Sequence, residues 1–126
     1  MPSSRPNTAN QQTRLTPAVF HTLLALAEGP LHGYAISQSA EQASAGSVRM
    51  GPGSLYGSLQ RLQVAGLLEE VEAPEGTQGA HSKRRRYYAL TDLGREGLVR
   101  EAKLLEGEVG VLRSRGLLEA RRRAKS

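Results

Sequence analysis

Four adjacent cations, Lys83, Arg84, Arg85 and Arg86, run directly into Tyr87-Tyr88-Ala89-Leu90 and end at Thr91. This stretch constrains the fold most, because a short aromatic and apolar strand that stops at a helix-capping threonine fixes a strand-to-helix junction. A run of cations is commonly no more than a solvated surface, so its neighbours decide its meaning. Upstream, Leu67-Leu68-Glu69-Glu70-Val71-Glu72 opens apolar and turns acidic, and residues 73–82 between the two stretches are rich in Pro and Gly. Two strands around such a turn form a β-hairpin. The hairpin is poor in branched residues and an isolated two-stranded ribbon is marginal in water, so it must lie against helices. Hydrophobic periodicity supplies those helices upstream and downstream, and the sum is the outline of a winged helix.

Upstream, Thr16-Pro17 provides an N-cap oxygen followed by a proline where the first-turn amide has no partner, and Val19, Phe20, Leu23, Leu24 and Leu26 form an apolar face that Gly29-Pro30 ends. A second helix is expected from Leu31-His32-Gly33-Tyr34 to about Gln42, with Ile36 and Ala40 toward the core. Residues 43–47 read as a loop, and Val48-Arg49-Met50 as a very short extra strand. The third helix runs from about Pro52 to Ala65 and is closed by Gly66. Leu55, Leu59 and Leu62 share its inner face, leaving Gly57, Gln60, Arg61 and Val64 outside with Ser54 and Ser58 on the flanks. Any amphipathic helix has a polar outer face, but this one directly precedes the hairpin, as the groove-entering helix does in helix-turn-helix proteins. Tyr87 and Tyr88 alternate along their strand, so one is expected inside and the other exposed.

Beyond Thr91 and Asp92, Leu98, Ala102, Leu105, Val109 and Leu112 recur by four and three, a seam two heptads long. A helix reaching about Gly116 is about 35 Å long at 1.5 Å per residue, too long for so small a domain to cover, so the seam calls for a second subunit. Gly107 and Gly110 weaken that helix or allow a close approach or a bend, and the sequence leaves these open. The chain therefore divides into a flexible tail over 1–14, a winged helix-turn-helix over 15–91, a dimerisation helix over 92–118 and a basic tail over 119–126. The fold class is mainly α with a small β-hairpin.

Charge distribution narrows the partner. The 126 residues carry a net charge of +5, and most of their Lys and Arg lie from Lys83 onward, which favours an acidic partner: double-stranded DNA first, an anionic membrane surface second. No stretch resembles a membrane span. The absence of cysteine excludes disulfides, thiol catalysis and Cys-based zinc sites and suits the cytoplasm. His21, His32 and His81 fall in separate elements, and no catalytic or phosphate-loop motif occurs, so neither an enzyme nor a cofactor or metal is expected.

Taken in order, Leu15-Thr16-Pro17, the run Gly29-Pro30-Leu31-His32-Gly33-Tyr34-Ala35-Ile36, the run from Gly51 to Leu62, and Arg86 to Thr91 with Gly94 resemble the PadR family of winged-helix transcriptional repressors. The resemblance covers roughly Leu15 to Leu112. The family's third helix usually reads Pro-Gly-Thr-Leu-Tyr-Pro; here Ser54 keeps the hydroxyl and Gly57 replaces the second proline. The resemblance implies that Ser54 and Tyr56 contact phosphates or bases and that Tyr34 braces the DNA backbone. Packing with internally bonded hydroxyls is the rival role for both tyrosines. It also implies a short-tailed homodimer without a separate effector domain, and induction by a small apolar or aromatic ligand in a pocket between the terminal helix and the wing domain. Within that frame Ser54, Ser58, Gln60 and Arg61 would read bases, with Tyr56 and Gly57 on the same helix surface. His81, Lys83, Arg84 and Arg85 would make phosphate or minor-groove contacts. The competing reading is a winged-helix docking module whose basic wing grips an acidic protein.

Overall fold

The computed structural model describes residues 14–76 and 85–119. Helix α1 (Pro17–Ala25) is followed by strand β1 (Leu31–His32), helices α2 (Gly33–Ala43) and α3 (Pro52–Val64), strands β2 (Leu68–Val71) and β3 (Tyr87–Leu90), and helix α4 (Asp92–Ser114). The strands form one antiparallel sheet in the order β1-β3-β2, with Leu31 opposite Tyr88 and Leu68 opposite Leu90. This is a winged helix-turn-helix with a long terminal helix.

Local chemistry sets the boundaries. The Thr16 hydroxyl accepts from Val19 N at 3.2 Å and Pro17 opens α1. Helix α3 ends where Gly66 adopts φ +82°, a left-handed conformation that glycine takes without strain, while the amides of Gly66 and Leu67 donate back to the carbonyls of Gln63 and Leu62. The Thr91 hydroxyl accepts from Gly94 N at 3.0 Å, starting α4, and donates to the Gly66 carbonyl at 2.6 Å. Leu23, Leu26, Ile36, Leu55, Leu59, Leu62, Leu68, Tyr88 and Leu98 form the core, so every helix and the sheet contribute to it. Ile36, Ala40 and the Leu55-Leu59-Leu62 stripe are buried as their spacing predicts.

Three expectations are corrected. Leu31 and His32 do not begin α2; they pair with β3 as β1, and the helix starts at Gly33 because the His32 ring serves as its N-cap. Val48-Arg49-Met50 is not a strand. The Val48 amide is taken by the Ser44 hydroxyl at 2.8 Å, so the segment is held as a loop with Val48 buried. Tyr87 and Tyr88 are both buried, although they point to opposite faces. β3 is the central strand, so Tyr88 enters the helical core while His32 of β1 stands edge-on to Tyr87 on the other side, with ring centroids 5.5 Å apart.

Helix α4 packs on α1 through its first turns. Leu98 is core, Val109 is half-buried, and Ala102, Leu105 and Leu112 are exposed. Arg14, at the end of the expected tail, binds α4: its Nε and Nη2 donate to Glu101 and its Nη1 to Glu108 at 2.6 Å, while Leu15 N donates to Glu101 at 3.0 Å. Glu101 is buried with its charge intact, and the Arg14 guanidinium holds its carboxyl below the usual range. Leu117 N and Gly116 N close the helix on the carbonyls of Leu112 and Arg113.

Gly94 has no room for a side chain. A Cβ there would overlap the Leu67 carbonyl oxygen and meet Leu90 Cδ1 at 2.9 Å, and the obstructing oxygen is backbone that cannot rotate away. Gly94→Ala should therefore destabilise the fold by about 3 kcal/mol, the upper end of overpacking costs, and lower Tm by more than 10 °C on the roughly 4–8 °C per kcal/mol of small domains. Thermal unfolding followed by circular dichroism checks this, and an unchanged Tm would contradict the packing described.

Candidate nucleic-acid interface

The outer face of α3 presents Ser54, Tyr56, Gln60 and Arg61 to solvent, with Gly57 and Ser58 partly covered. Its inner leucines lock the rotation of the helix, so this polar face is fixed by burial on the opposite side. Arg61 does not extend freely. Its Nη2 donates to Ser58 Oγ at 3.2 Å, and Nη1 lies close over Gly57, where a Cβ would sit 3.6 Å away. The glycine that replaces the family's proline thus leaves the helix surface open for a guanidinium folded along it.

The two tyrosines have different settings. Tyr34, on α2, is 62% exposed, and its hydroxyl accepts from Gln38 Nε2 at 3.2 Å. Tyr56 is 47% exposed but seated: its ring lies against Gly33, where a Cβ would meet the ring carbon Cζ at 2.7 Å. Glycine at position 33 is therefore what allows the start of α3 to rest on the start of α2. Packing and exposure coexist in Tyr56, so the two roles set against each other by the sequence are not exclusive.

The adjacent residue, His32, connects α2 to the wing. His32 Nδ1 accepts from Ala35 N at 3.3 Å, and its Nε2 lies 3.1 Å from Nη1 of Arg85. Burial and the nearby Arg85 charge both push the His32 pKa below its usual value. Arg86 is exposed beside Tyr88, whose hydroxyl is pushed up by burial and by Glu70. His81, Lys83 and Arg84 lie outside the described residues. Consecutive residues of α2's cap region, His32 and Gly33, thus bring together the wing and the amino end of α3. Sequence reading treated His32 as an ordinary helix residue; the signal that marks it is its place directly before Gly33-Tyr34, at a helix start where a side-chain acceptor is needed.

Arg49 is a further exposed cation, two residues before Gly51, paired with Glu41 at 3.5 Å. An apolar cavity of about 320 Å³ lies between α2 and α3, lined by Tyr34, Ser37, Met50, Pro52, Leu55 and Tyr56. The cleft between α4 and the sheet carries Glu28 and Arg95, and the groove along α4 is lined by Asp92, Arg95, Glu96, Val99, Arg100 and Lys103, charged at all but one position. Among the described residues no cluster of three metal-ligating side chains occurs, and no helix is long and apolar enough to cross a membrane.

The sequence model of the transcriptional regulator PadR-like family matches residues 22–100. The chain belongs to the PadR family. The match runs from α1 into α4 and includes the α2 cap, all of α3 and the wing strands, while the exposed seam beyond Arg100 lies past it. An uncharacterized 37.1 kDa protein in transposon TN4556 of Streptomyces fradiae is 46% identical over 89 residues, 71% of this chain and 23% of that protein. The chain thus spans under a quarter of that relative's length. A solved structure of a Streptococcus mutans protein is 28% identical with a TM-score of 0.59, over 90% of this chain and 99% of that one. A PadR family transcription regulator from Clostridium difficile shares the fold at 22% identity and a TM-score of 0.61, covering 79% of this chain and 97% of its own.

The depressed His32 pKa gives a signed pH effect. A group whose folded pKa lies below its unfolded value of 6.5 contributes stability that is present above that value and lost as pH falls through the folded pKa, because the unfolded chain then binds the extra proton. The protein should lose stability on acidification from about pH 7 to about pH 5, and His32→Asn, which keeps a capping acceptor without a proton to gain, should flatten that limb. Denaturant midpoints of both proteins across this range decide it, and parallel curves would count against the assignment.

Proposed function

We propose that this PadR-family protein is a homodimeric, sequence-specific DNA-binding repressor that places two copies of α3 in successive major grooves, about 34 Å apart. The observation that carries the reading is the convergence at His32 and Gly33: one seats Tyr56 at the start of α3, the other meets Arg85 at the base of the wing. A groove-entering helix and a phosphate-holding arm must keep a defined relation to read DNA, and these two contacts join them through neighbouring residues. Arg61 and Gln60 suit guanine and adenine through paired hydrogen bonds, with Ser54 and Ser58 beside them. Lys83, Arg84, Arg85 and His81 would add phosphate contacts that carry little sequence information. The unpaired cover of α4 supports the dimer: Leu104, Leu105, Val111, Leu112, Leu117 and Leu118 are exposed along its outer half and end. A small apolar ligand relieving repression would find an apolar lining in the cavity between α2 and α3, beside Tyr34 and Tyr56.

A gel shift on the chain's own promoter at about 150 mM salt tests the whole reading, since purely electrostatic binding is heavily weakened there. Preference over random DNA is the expected result, and equal binding would favour a docking module for an acidic protein instead. Arg61→Ala should weaken promoter binding by about 1–3 kcal/mol while sparing random DNA, whereas Arg84→Ala or Arg85→Ala should weaken both alike and flatten the salt dependence. Equal losses on both DNAs for Arg61→Ala would contradict its reading role.

The dimer has its own measurement. Leu105→Glu with Leu112→Glu places charges in the exposed seam and should convert a sedimenting dimer to monomers that stay folded by circular dichroism, with promoter affinity falling steeply. A double variant that still sediments as wild type would remove this helix from the interface.

A further inference from the structure

His32 contacts two donors with one ring. Nδ1 receives the Ala35 amide at 3.3 Å, and Nε2 faces Nη1 of Arg85 at 3.1 Å. A guanidinium carries only N–H donors, so the Arg85 contact is a hydrogen bond only when Nε2 holds a lone pair; the Ala35 amide makes the same demand of Nδ1. A neutral imidazole offers one lone pair and one N–H, and the imidazolium offers no lone pair. One ring therefore serves Arg85 or Ala35 and never both.

We propose that His32 is a positioning residue that exchanges tautomers between these partners: with the proton on Nδ1 it holds Arg85 at the base of the wing, and with the proton on Nε2 it caps α2. This rests on the reading of Arg85 as a phosphate contact. In the free protein the two bonds compete. When a DNA phosphate takes the guanidinium, the competition ends, the proton resides on Nε2, and the Ala35 amide gains its acceptor without a rival. Linkage is reciprocal, so a tighter first turn of α2 also favours the released Arg85. That first turn contains Gly33, the seat of Tyr56, so capture of the wing by a phosphate firms the support of α3. The ring is held for the exchange: its backbone pairs with Tyr87 in the sheet, and the Tyr87 ring stands at 89° to it, which restrains rotation away from either partner.

The experiment uses the full chain labelled with ¹⁵N-histidine, reading the ring nitrogens of His32, whose shifts distinguish the two tautomers, together with hydrogen exchange of the Ala35 amide. Free wild-type protein should show averaged ring shifts from both tautomers. Arg85→Ala, an exposed change that leaves the core untouched, should move them to the pure Nε2–H values and slow Ala35 exchange by about two- to threefold, less than the roughly fivefold of a whole N-cap bond because the free protein already makes that bond part of the time. Promoter duplex added to wild type should produce the same displacement, and added to Arg85→Ala should produce no further one. Ring shifts that ignore Arg85→Ala, or a free wild-type ring already purely Nε2–H, overturn the exchange. A ring that answers Arg85→Ala but not a promoter duplex the protein binds overturns the coupling to DNA. Absence of promoter preference in wild type is the separate failure of the DNA reading, and the arm without DNA then decides the tautomer exchange alone.

Discussion

The carbonyls of Gly66 and Leu67 are the point through which three parts of the molecule are fixed to one another. The Thr91 hydroxyl donates to the first at 2.6 Å, the Thr91 amide to the second at 3.2 Å, and Gly94 passes directly beneath the second. The end of α3, the return of β3 and the start of α4 are thereby tied by groups that have no freedom to adjust. The Gly66 conformation makes this possible, because a left-handed residue turns the chain out of α3 at the place where the threonine arrives. Remove that junction and the wing, α3 and the terminal helix become three loosely related pieces.

At the other end of α3 the connections are softer. Tyr56 rests on Gly33 and Arg85 reaches a histidine, both side-chain contacts at a partly exposed surface. The rigid junction sets where α3 lies, while the contacts around His32 and Gly33 leave its amino end open to small adjustments. Arg61 is likewise held by an exposed side-chain contact, its guanidinium folded onto the Ser58 hydroxyl.

Much of the fold was legible because it rests on short-range chemistry. Thr16-Pro17, the leucines of α3, Gly66 and the Thr91-Asp92 start each carry their physical reason within a few residues. Beyond that range the sequence failed in an instructive way. Leu31 and His32 read as helix because their strand partner, Tyr87-Tyr88, is more than fifty residues away, and no local pattern announces a two-residue strand. The same missing strand made one of the two tyrosines seem destined for solvent. Val48-Arg49-Met50 has strand-like composition, but a single serine hydroxyl four residues earlier claims its amide. Of the candidate site, the outward face of α3 was readable from periodicity. The role of His32 was not, since an N-cap, an aromatic edge contact and an arginine neighbour become visible only when three elements are assembled.

Strand β2 gives the sheet an outer edge, and Glu69 and Glu70 on it are exposed. A strand edge with unpaired backbone groups invites another chain to extend the sheet, and charged side chains along it are the usual defence. Two copies approaching edge to edge would bring carboxylates against carboxylates. The acidic strand in an otherwise basic half of the molecule thus works against open-ended sheet growth from this edge.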